Sequence, residues 1–193
     1  VGSFTTGVTP DGSQQRKEIE HGITVIATGA EEYQPTEYLY GRDERVVTLL
    51  DLEDKIQWRD EAVTKVSTLA MIICVGCREE ERPHCSRVCC SQAVKSALQL
   101  RERDPKMDVY VLFRDMRTYG LKEDHYREAA EKGVRFIRYQ PEDKPLVEAV
   151  EEDGRSVLRV TVSDPVLGKG LVIDADMVAL AAAIVPSSGT RAI

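Results

Sequence analysis

Leu69-Ala70-Met71-Ile72-Ile73-Cys74-Val75 carries no polar side chain except the thiol of Cys74. A run this short and this apolar suits a strand buried on both faces, as inside a parallel sheet. Downstream, Ala93, Val94, Ala97, Leu98 and Leu100 give an apolar face to a helix running to about Arg103. Asp104-Pro105 stops it. Asp108 to Phe113 reads as the next strand, Lys122 to Lys132 as the next helix ended by Gly133, and Val134 to Tyr139 as a third strand. Strand–helix–strand–helix–strand predicts right-handed crossovers and a parallel sheet, hence an α/β fold.

The flanks change character. Leu146 to Glu151 and Ser156 to Val162 alternate about Glu152-Asp153-Gly154, the pattern of an antiparallel hairpin. Gly170 to Ile173 adds strand, and Met177 to Ile184 is another buried run. At the other end, Val1 to Val8 is expected to pair with the segment near Ile19 through the turn Thr9-Pro10-Asp11-Gly12. Gly22 to Ala30 is β-branched and apolar and reads as a strand buried on both faces, ending at Gly29. Val46 to Trp58 looks helical, with Leu49, Leu50, Leu52 and Ile56 for one side. The single strands Ile23–Ala27 and Val178–Ala182 are expected to share a separate sheet, with the α/β unit inserted between them.

All five cysteines of the 193 residues fall between Cys74 and Cys90. A secreted disulfide protein would spread its cysteines to staple distant segments, so this usage points to a reducing compartment and a cytoplasmic protein. The net charge of −7 argues against a nucleic-acid partner or an anionic membrane. No apolar run approaches the roughly 20 residues of a membrane span. The chain does not begin with methionine, and a piece of a longer polypeptide is expected.

The cysteine loop follows a parallel strand and precedes a helix, the end of an open α/β sheet where ligands bind. A dinucleotide site there would need Gly-x-Gly-x-x-Gly, but the loop has only Gly76, and Glu79, Glu80 and Glu81 would repel phosphate. If the helix begins near Pro83, Cys85 and Cys89 share one face within its first turns. Helix N-terminal amides lower a thiol pKa, and Arg78, Arg82 and Arg87 would offset the charge of several thiolates. Soft sulfur ligands suit a [4Fe–4S] cluster, tetrahedral zinc or copper(I). A redox pair at Cys89-Cys90 and a set of inert buried thiols stay open. His84 is either a further ligand or a solvated loop residue. Arg114-Asp115-Met116-Arg117-Thr118-Tyr119-Gly120, after a parallel strand, would bind phosphate or a partner, or else form surface ion pairs. Trp58 and the Tyr33, Tyr38, Tyr40 group read as packing. Ala27-Thr28-Gly29 is by itself only a turn signal.

Three segments carry a family resemblance. Cys74-Val-Gly followed by Arg78-Glu79-Glu80 and Cys85-Ser86-Arg87-Val88-Cys89-Cys90 resembles the A-type subunits of heterodisulfide reductase. Tyr110 to Gly120 and Ile26 to Gly41 resemble them as well, so the likeness covers nearly the whole chain. It implies an FAD-containing iron–sulfur oxidoreductase of methanogenic archaea, with relatives in sulfate reducers. The implied fold class is α/β, a Rossmann-like three-layer parallel sheet unit with an antiparallel hairpin, within a thioredoxin-reductase-like flavoprotein fold. Residues 1–62 would belong to the FAD-binding domain, 63–145 to the inserted unit with the cysteines, and 146–193 to the hairpin and return strand. The resemblance implies Cys74, Cys85, Cys89 and Cys90 as ligands of a [4Fe–4S] cluster near FAD, with Ala27, Thr28 and Gly29 at the flavin. Cys77 stands outside that set. Implied partners are the B and C subunits and a hydrogenase or other donor, with a homodimer also expected. The glycine-rich FAD fingerprint is not in these residues, so the chain alone is expected to be inactive. Two other classes remain: a pyridine-nucleotide-disulfide oxidoreductase working through Cys89-Cys90, and a zinc-stabilised docking domain.

Overall fold

The run from Leu69 to Val75 forms the central strand of a five-stranded parallel sheet in the computed structural model, which describes residues 2–152, 154–188 and Thr190. Along the chain come β1 (Phe4–Val8), β2 (Lys17–His21), β3 (Glu31–Glu32), β4 (Val46–Thr48), α1 (Leu49–Gln57) and α2 (Glu61–Thr64). Then follow β5 (Thr68–Val75), α3 (Cys89–Arg103), β6 (Asp108–Phe113), α4 (Lys122–Glu131) and β7 (Arg135–Arg138). The last elements are β8 (Leu146–Glu152), β9 (Arg155–Asp164), β10 (Lys169–Ala175), β11 (Met177–Ala182) and β12 (Ile184–Val185). The chain forms two units, one of residues up to Glu31 with those from Pro186 on, the other Glu32–Val185.

In the larger unit the parallel sheet runs β4-β11-β5-β6-β7. The period of two along a strand explains why β5 is apolar throughout. Leu69, Met71 and Ile73 cluster with Leu49, Leu52 and Ile56 of α1 and Ala93, Val94, Ala97 and Leu100 of α3. Ala70 and Ile72 cluster instead with Leu158, Val160 and Val162 of β9 and Ile173 of β10. Those strands belong to an antiparallel sheet of order β10-β9-β8. The unit is therefore three layers: antiparallel sheet, parallel sheet, helices. Each fully buried leucine or isoleucine in them stabilises by about 1.5–3 kcal/mol.

Two expectations change here. Val46 to Trp58 is not one helix. Val46, Val47 and Thr48 are β-branched and pair with Val178, Ala179 and Leu180 of β11. The helix starts only where Thr48 caps it: the Thr48 Oγ1 accepts from the Asp51 amide at 3.2 Å, and Asp51 Oδ2 accepts from the Thr48 amide at 3.1 Å. Leu50 then falls on the exposed side of α1. Met177 to Ala182 does not flank the parallel sheet in a sheet of its own; it sits between β4 and β5.

The hairpin, the helix Lys122–Glu131 and the strands at Asp108 and Arg135 fall where the periodicity places them. Asp153 of the hairpin turn lies outside the described residues. Among the described residues no helix is long and apolar enough to cross a membrane.

The smaller unit holds the expected first hairpin, with β1 and β2 antiparallel from Phe4↔His21 to Val8↔Lys17 and a turn closed by the Ser13 amide on the Pro10 carbonyl at 3.0 Å. Val1 lies outside the described residues. Gly22 to Ala30 is not a buried strand. It has no regular structure, and Ile23, Val25 and Ile26 are 76%, 80% and 77% exposed. A strand needs a neighbour to take its backbone hydrogen bonds, and among the described residues none pairs with this stretch.

Candidate metal centre

The carboxyl end of β5 is bent to present a thiol. Ala181 of β11 pairs with Ile73 and Ala182 pairs with Val75, so Cys74 is left over as a bulge. Cys74 has φ +69°, a left-handed conformation that costs a residue with a side chain roughly 1–2 kcal/mol. Such strain persists where the surroundings over-determine it. Tyr139, buried at the end of β7, donates its hydroxyl to the Ile73 carbonyl at 2.7 Å. On the far side, the Ala183 amide donates to the Val75 carbonyl at 2.9 Å, and the Tyr33 amide to the Ala183 carbonyl at 2.8 Å.

Gly76 also has positive φ, and a Cβ there would lie 2.3 Å from the Tyr33 ring. Arg82 holds that ring in place: its guanidinium lies 4.4 Å from the Tyr33 centroid, and its Nε donates to the Gly76 carbonyl at 2.6 Å. The loop then folds back on itself. The Arg78 amide donates to the His84 carbonyl at 3.2 Å, and Glu79 and Arg82 exchange backbone hydrogen bonds at 3.1 Å. Lys144 forms an ion pair with Glu79.

The helix begins at Cys89, not near Pro83. Arg87 takes φ +65°, which a continuing right-handed helix cannot contain, and Val88 is the residue before the first turn. Cys85 therefore lies in the loop, half-buried, accepting from the Arg87 amide at 3.4 Å. Cys89 and Cys90 are the first two residues of α3 and buried. The Cys89 thiol donates to the Ala182 carbonyl at 3.7 Å and the Cys90 thiol to the Asp115 carbonyl at 3.7 Å. Ser86 Oγ accepts from the Ile184 amide at 2.9 Å, and His84 Nε2 meets the Ile184 carbonyl at 3.2 Å, which occupies this histidine structurally. Strand end, loop and helix start thus bring the cysteines to the carboxyl edge of β5, β6 and β11, outside which α/β ligands bind.

The electrostatics differ from thiol to thiol. Cys74 is pulled below the ordinary thiol range by the hydrogen bond from Cys77, then by the Arg78 guanidinium; burial opposes this. Cys77 is driven up for the complementary reason, since it keeps the proton the pair shares. Burial pushes Cys89 up to about 11 and raises Cys90. At a helix N-terminus both gain from the amide dipoles once ionised.

Two arginines complete the surroundings. Arg78 Nη2 donates to Asp115 Oδ2 at 2.5 Å, which holds the Asp115 carboxyl below its usual range. Arg114 Nη1 donates to the Arg78 carbonyl at 3.1 Å. Arg78 Nη1 and Arg114 Nε are buried with no hydrogen-bond partner, an arrangement that is costly unless an acceptor meets them. Among the described residues no three His, Cys, Asp or Glu side chains gather tightly enough around one metal ion. A mononuclear zinc site, with sulfurs about 2.3 Å from the ion, is not preformed. A cluster spreads its ligands over several irons, and soft thiolates beside unmatched guanidinium donors fit a group that is both sulfur-ligated and anionic.

The other candidates lie elsewhere. Ala27 and Gly29 are exposed and Thr28 half-buried; the Thr28 carbonyl accepts from Ser187 Oγ at 3.1 Å. Gly29 has φ +72°. These residues do not by themselves enclose a flavin. Tyr38 is half-buried and desolvation pushes its hydroxyl up to about 12, while Trp58 is exposed rather than packed. Sequence reasoning missed Tyr139 and the Tyr33–Arg82 clamp on Gly76. Neither has a local signal, because Tyr139 and Tyr33 each act on a segment far along the chain. Replacing Tyr139 with phenylalanine leaves the Ile73 carbonyl without its donor. The expected loss is about 1–2 kcal/mol, read as a lower urea midpoint, with faster alkylation of Cys74 in the metal-free protein. An unchanged midpoint and an unchanged alkylation rate would count against the clamp.

A parallel sheet with a thiol-rich loop at its carboxyl edge defines an α/β domain with a candidate thiol site, and likeness to known proteins narrows it. No protein-family model matches the chain. It is 36% identical over 200 residues to the A-type subunit of the H2:CoB-CoM heterodisulfide,ferredoxin reductase of Methanothermobacter thermautotrophicus. It is 34% identical to the A-type subunit of the H2/formate:CoB-CoM heterodisulfide,ferredoxin reductase of Methanococcus maripaludis. It is 33% identical to the first of two A-type iron-sulfur subunits of the CoB–CoM heterodisulfide reductase of Methanopyrus kandleri. These three matches cover 95%, 90% and 93% of the chain and 29%, 28% and 29% of the relatives, so the chain spans less than a third of their length. Among solved structures, the ornithine N-hydroxylase of Kutzneria sp. 744 aligns over 98% of the chain and 51% of its own, with TM-score 0.53 and 13% identity. That likeness is one of fold. The chain belongs to the family of heterodisulfide reductase A-type subunits.

Proposed function

We propose that this chain is the electron-transfer module of a heterodisulfide-reductase-type flavin and iron–sulfur oxidoreductase. The observation that supports the reading is that Cys74, Cys85, Cys89 and Cys90 lie near enough to act electrostatically on one another, beside two buried guanidinium N–H groups that lack acceptors. These four cysteines would hold a [4Fe–4S] cluster, which when bound takes up and releases single electrons. Arg78 and Arg114 supply positive charge and hydrogen-bond donors on one side of the thiolates, which favours the more reduced, more negative state. The β5 bulge aims Cys74, and the first turn of α3 aims Cys89 and Cys90. Cys77 keeps its proton and hydrogen-bonds Cys74, the behaviour of a supporting residue. Ala27, Thr28 and Gly29 are assigned to the approach of FAD, and the reading extends to the acceptors and donors in the relatives' names: heterodisulfide, ferredoxin and hydrogen or formate. The B and C subunits and a homodimer belong to the same proposal.

The test is anaerobic reconstitution of the native-length protein with iron and sulfide, followed by metal analysis and EPR. About four irons per chain and a reduced-state EPR signal are expected. A folded protein that takes one zinc and no iron, or that shows a reversible Cys89–Cys90 disulfide without iron, would overturn the assignment.

A further inference from the structure

A basic face adjoins the thiols on the outer side of Cys90. Arg87, Arg117, Tyr119 and Lys122 line an open cleft of about 490 Å³. Three cations on one cleft stand out in a chain whose net charge is −7. The carboxylate that meets Arg117 is already shared: Asp115 meets Arg78 at 2.5 Å, Arg138 at 3.7 Å and Arg117 at 4.0 Å. Glu123 accepts from Thr118 at 2.9 Å. Among the described residues neither Arg87 nor Lys122 forms an ion pair. Exposed apolar side chains accompany the cations, with Val88, Tyr119 and Leu121 at 48%, 67% and 86% exposure.

This combination decides between kinds of ligand. A small anion would engage the guanidinium groups and leave Tyr119, Leu121 and Val88 in water. A protein surface covers both, and arginine with tyrosine is the pairing that dominates protein interfaces. In a chain of net charge −7, a cleft lined by three cations favours the approach of an acidic partner and helps orient the encounter. The position is suited to electron transfer. Cys90 bonds to the Asp115 carbonyl, two residues from Arg117, and Cys85 accepts from the Arg87 amide itself.

We infer that the Arg87–Arg117–Tyr119–Lys122 face docks an acidic electron-carrier protein, with its redox group held next to Cys90. The inference rests on the electron-transfer reading above. In each encounter the reduced carrier loses one electron and the thiolate-bound centre gains it, with no bond made or broken.

The probe is flavodoxin, an acidic carrier, titrated by calorimetry into the native-length, reconstituted protein at low and high salt, with basic cytochrome c as the contrasting carrier. Flavodoxin is expected to bind with an affinity that falls steeply as salt rises, and cytochrome c is not. Arg117→Glu combined with Lys122→Glu should weaken flavodoxin binding at least tenfold, with iron content and circular dichroism unchanged. Lys122→Glu alone, on the exposed start of α4, gives a partial loss and guards against misfolding of the double variant. Equal binding of both carriers, salt-independent binding, or an unchanged affinity in the double variant would overturn the inference. So would micromolar binding of inorganic pyrophosphate that the same variant abolishes, which would make the face a small-anion site. Iron is assayed on the same samples: flavodoxin binding without iron keeps the docking face and removes the cluster reading, whereas iron without binding does the reverse.

Discussion

Gly76→Ala is expected to destabilise the larger unit by roughly 2–4 kcal/mol, from left-handed backbone strain and overpacking together. Gly76 has φ +69°, so any side chain enters the left-handed region. The added methyl would also stand 2.3 Å from Tyr33 ring atoms. The ring has little freedom to retreat, since its backbone is bound to Ala183 and its face is covered by Arg82. Gly168→Ala is the comparison that isolates the backbone contribution: φ is +61° there, but the space around it is open. It should cost about 1 kcal/mol. Urea midpoints measure both, and Tyr33→Ala added to Gly76→Ala should recover the overlap in a double-mutant cycle. If the Gly76 and Gly168 substitutions cost the same, the Tyr33 contact is not the constraint described. Against a total stability of about 5–15 kcal/mol for a typical domain, the difference is large.

Cys89→Ser should abolish cluster loading while leaving the metal-free fold nearly intact. Cys89 is buried at the first position of α3 and donates to the Ala182 carbonyl. A serine hydroxyl can keep that hydrogen bond, so the metal-free protein should lose only about 1 kcal/mol. Oxygen is a harder ligand than sulfur and binds iron–sulfur clusters poorly. Iron after reconstitution should therefore fall to background in Cys89→Ser, and sulfide with it. Cys77→Ser, by contrast, should retain iron close to the unmodified level, because Cys77 supports Cys74 through a hydrogen bond that serine can also donate. Retention of iron in Cys89→Ser together with its loss in Cys77→Ser would require a different ligand set.

The layers of the larger unit were largely legible in the sequence because each buried segment carries its own period. β5 is apolar on both sides, and α3 shows one apolar stripe ended by Asp104-Pro105. Two misreadings came from the same physical source: an apolar run does not say which neighbour covers it. Val46 to Thr48 pairs with a strand about 130 residues later, a pairing no local window contains. Gly22 to Ala30 has the composition of a buried strand and is exposed. The site was legible as chemistry and not as geometry. Clustered cysteines are plain in one dimension, but the helix start at Cys89 depends on Arg87 turning left-handed, which arginine does not advertise. The Tyr139 hydroxyl meets Ile73 from 66 residues away.

The place of β11 beside β5 also sets an order of assembly. The thiol site needs Ala182 to receive Cys89 and Ile184 to reach Ser86, yet both are made about a hundred residues after β5. At about 5–20 residues per second on the ribosome, that is a wait of roughly 5–20 s. Throughout it, the emerging cysteines face solvent or a chaperone with one wall of their chamber missing. On the proposed function, metal delivery before β11 docks would meet an unformed set of ligands, and cluster insertion would belong to the end of folding, after the long-range pairing of β5 with β11 has closed the sheet.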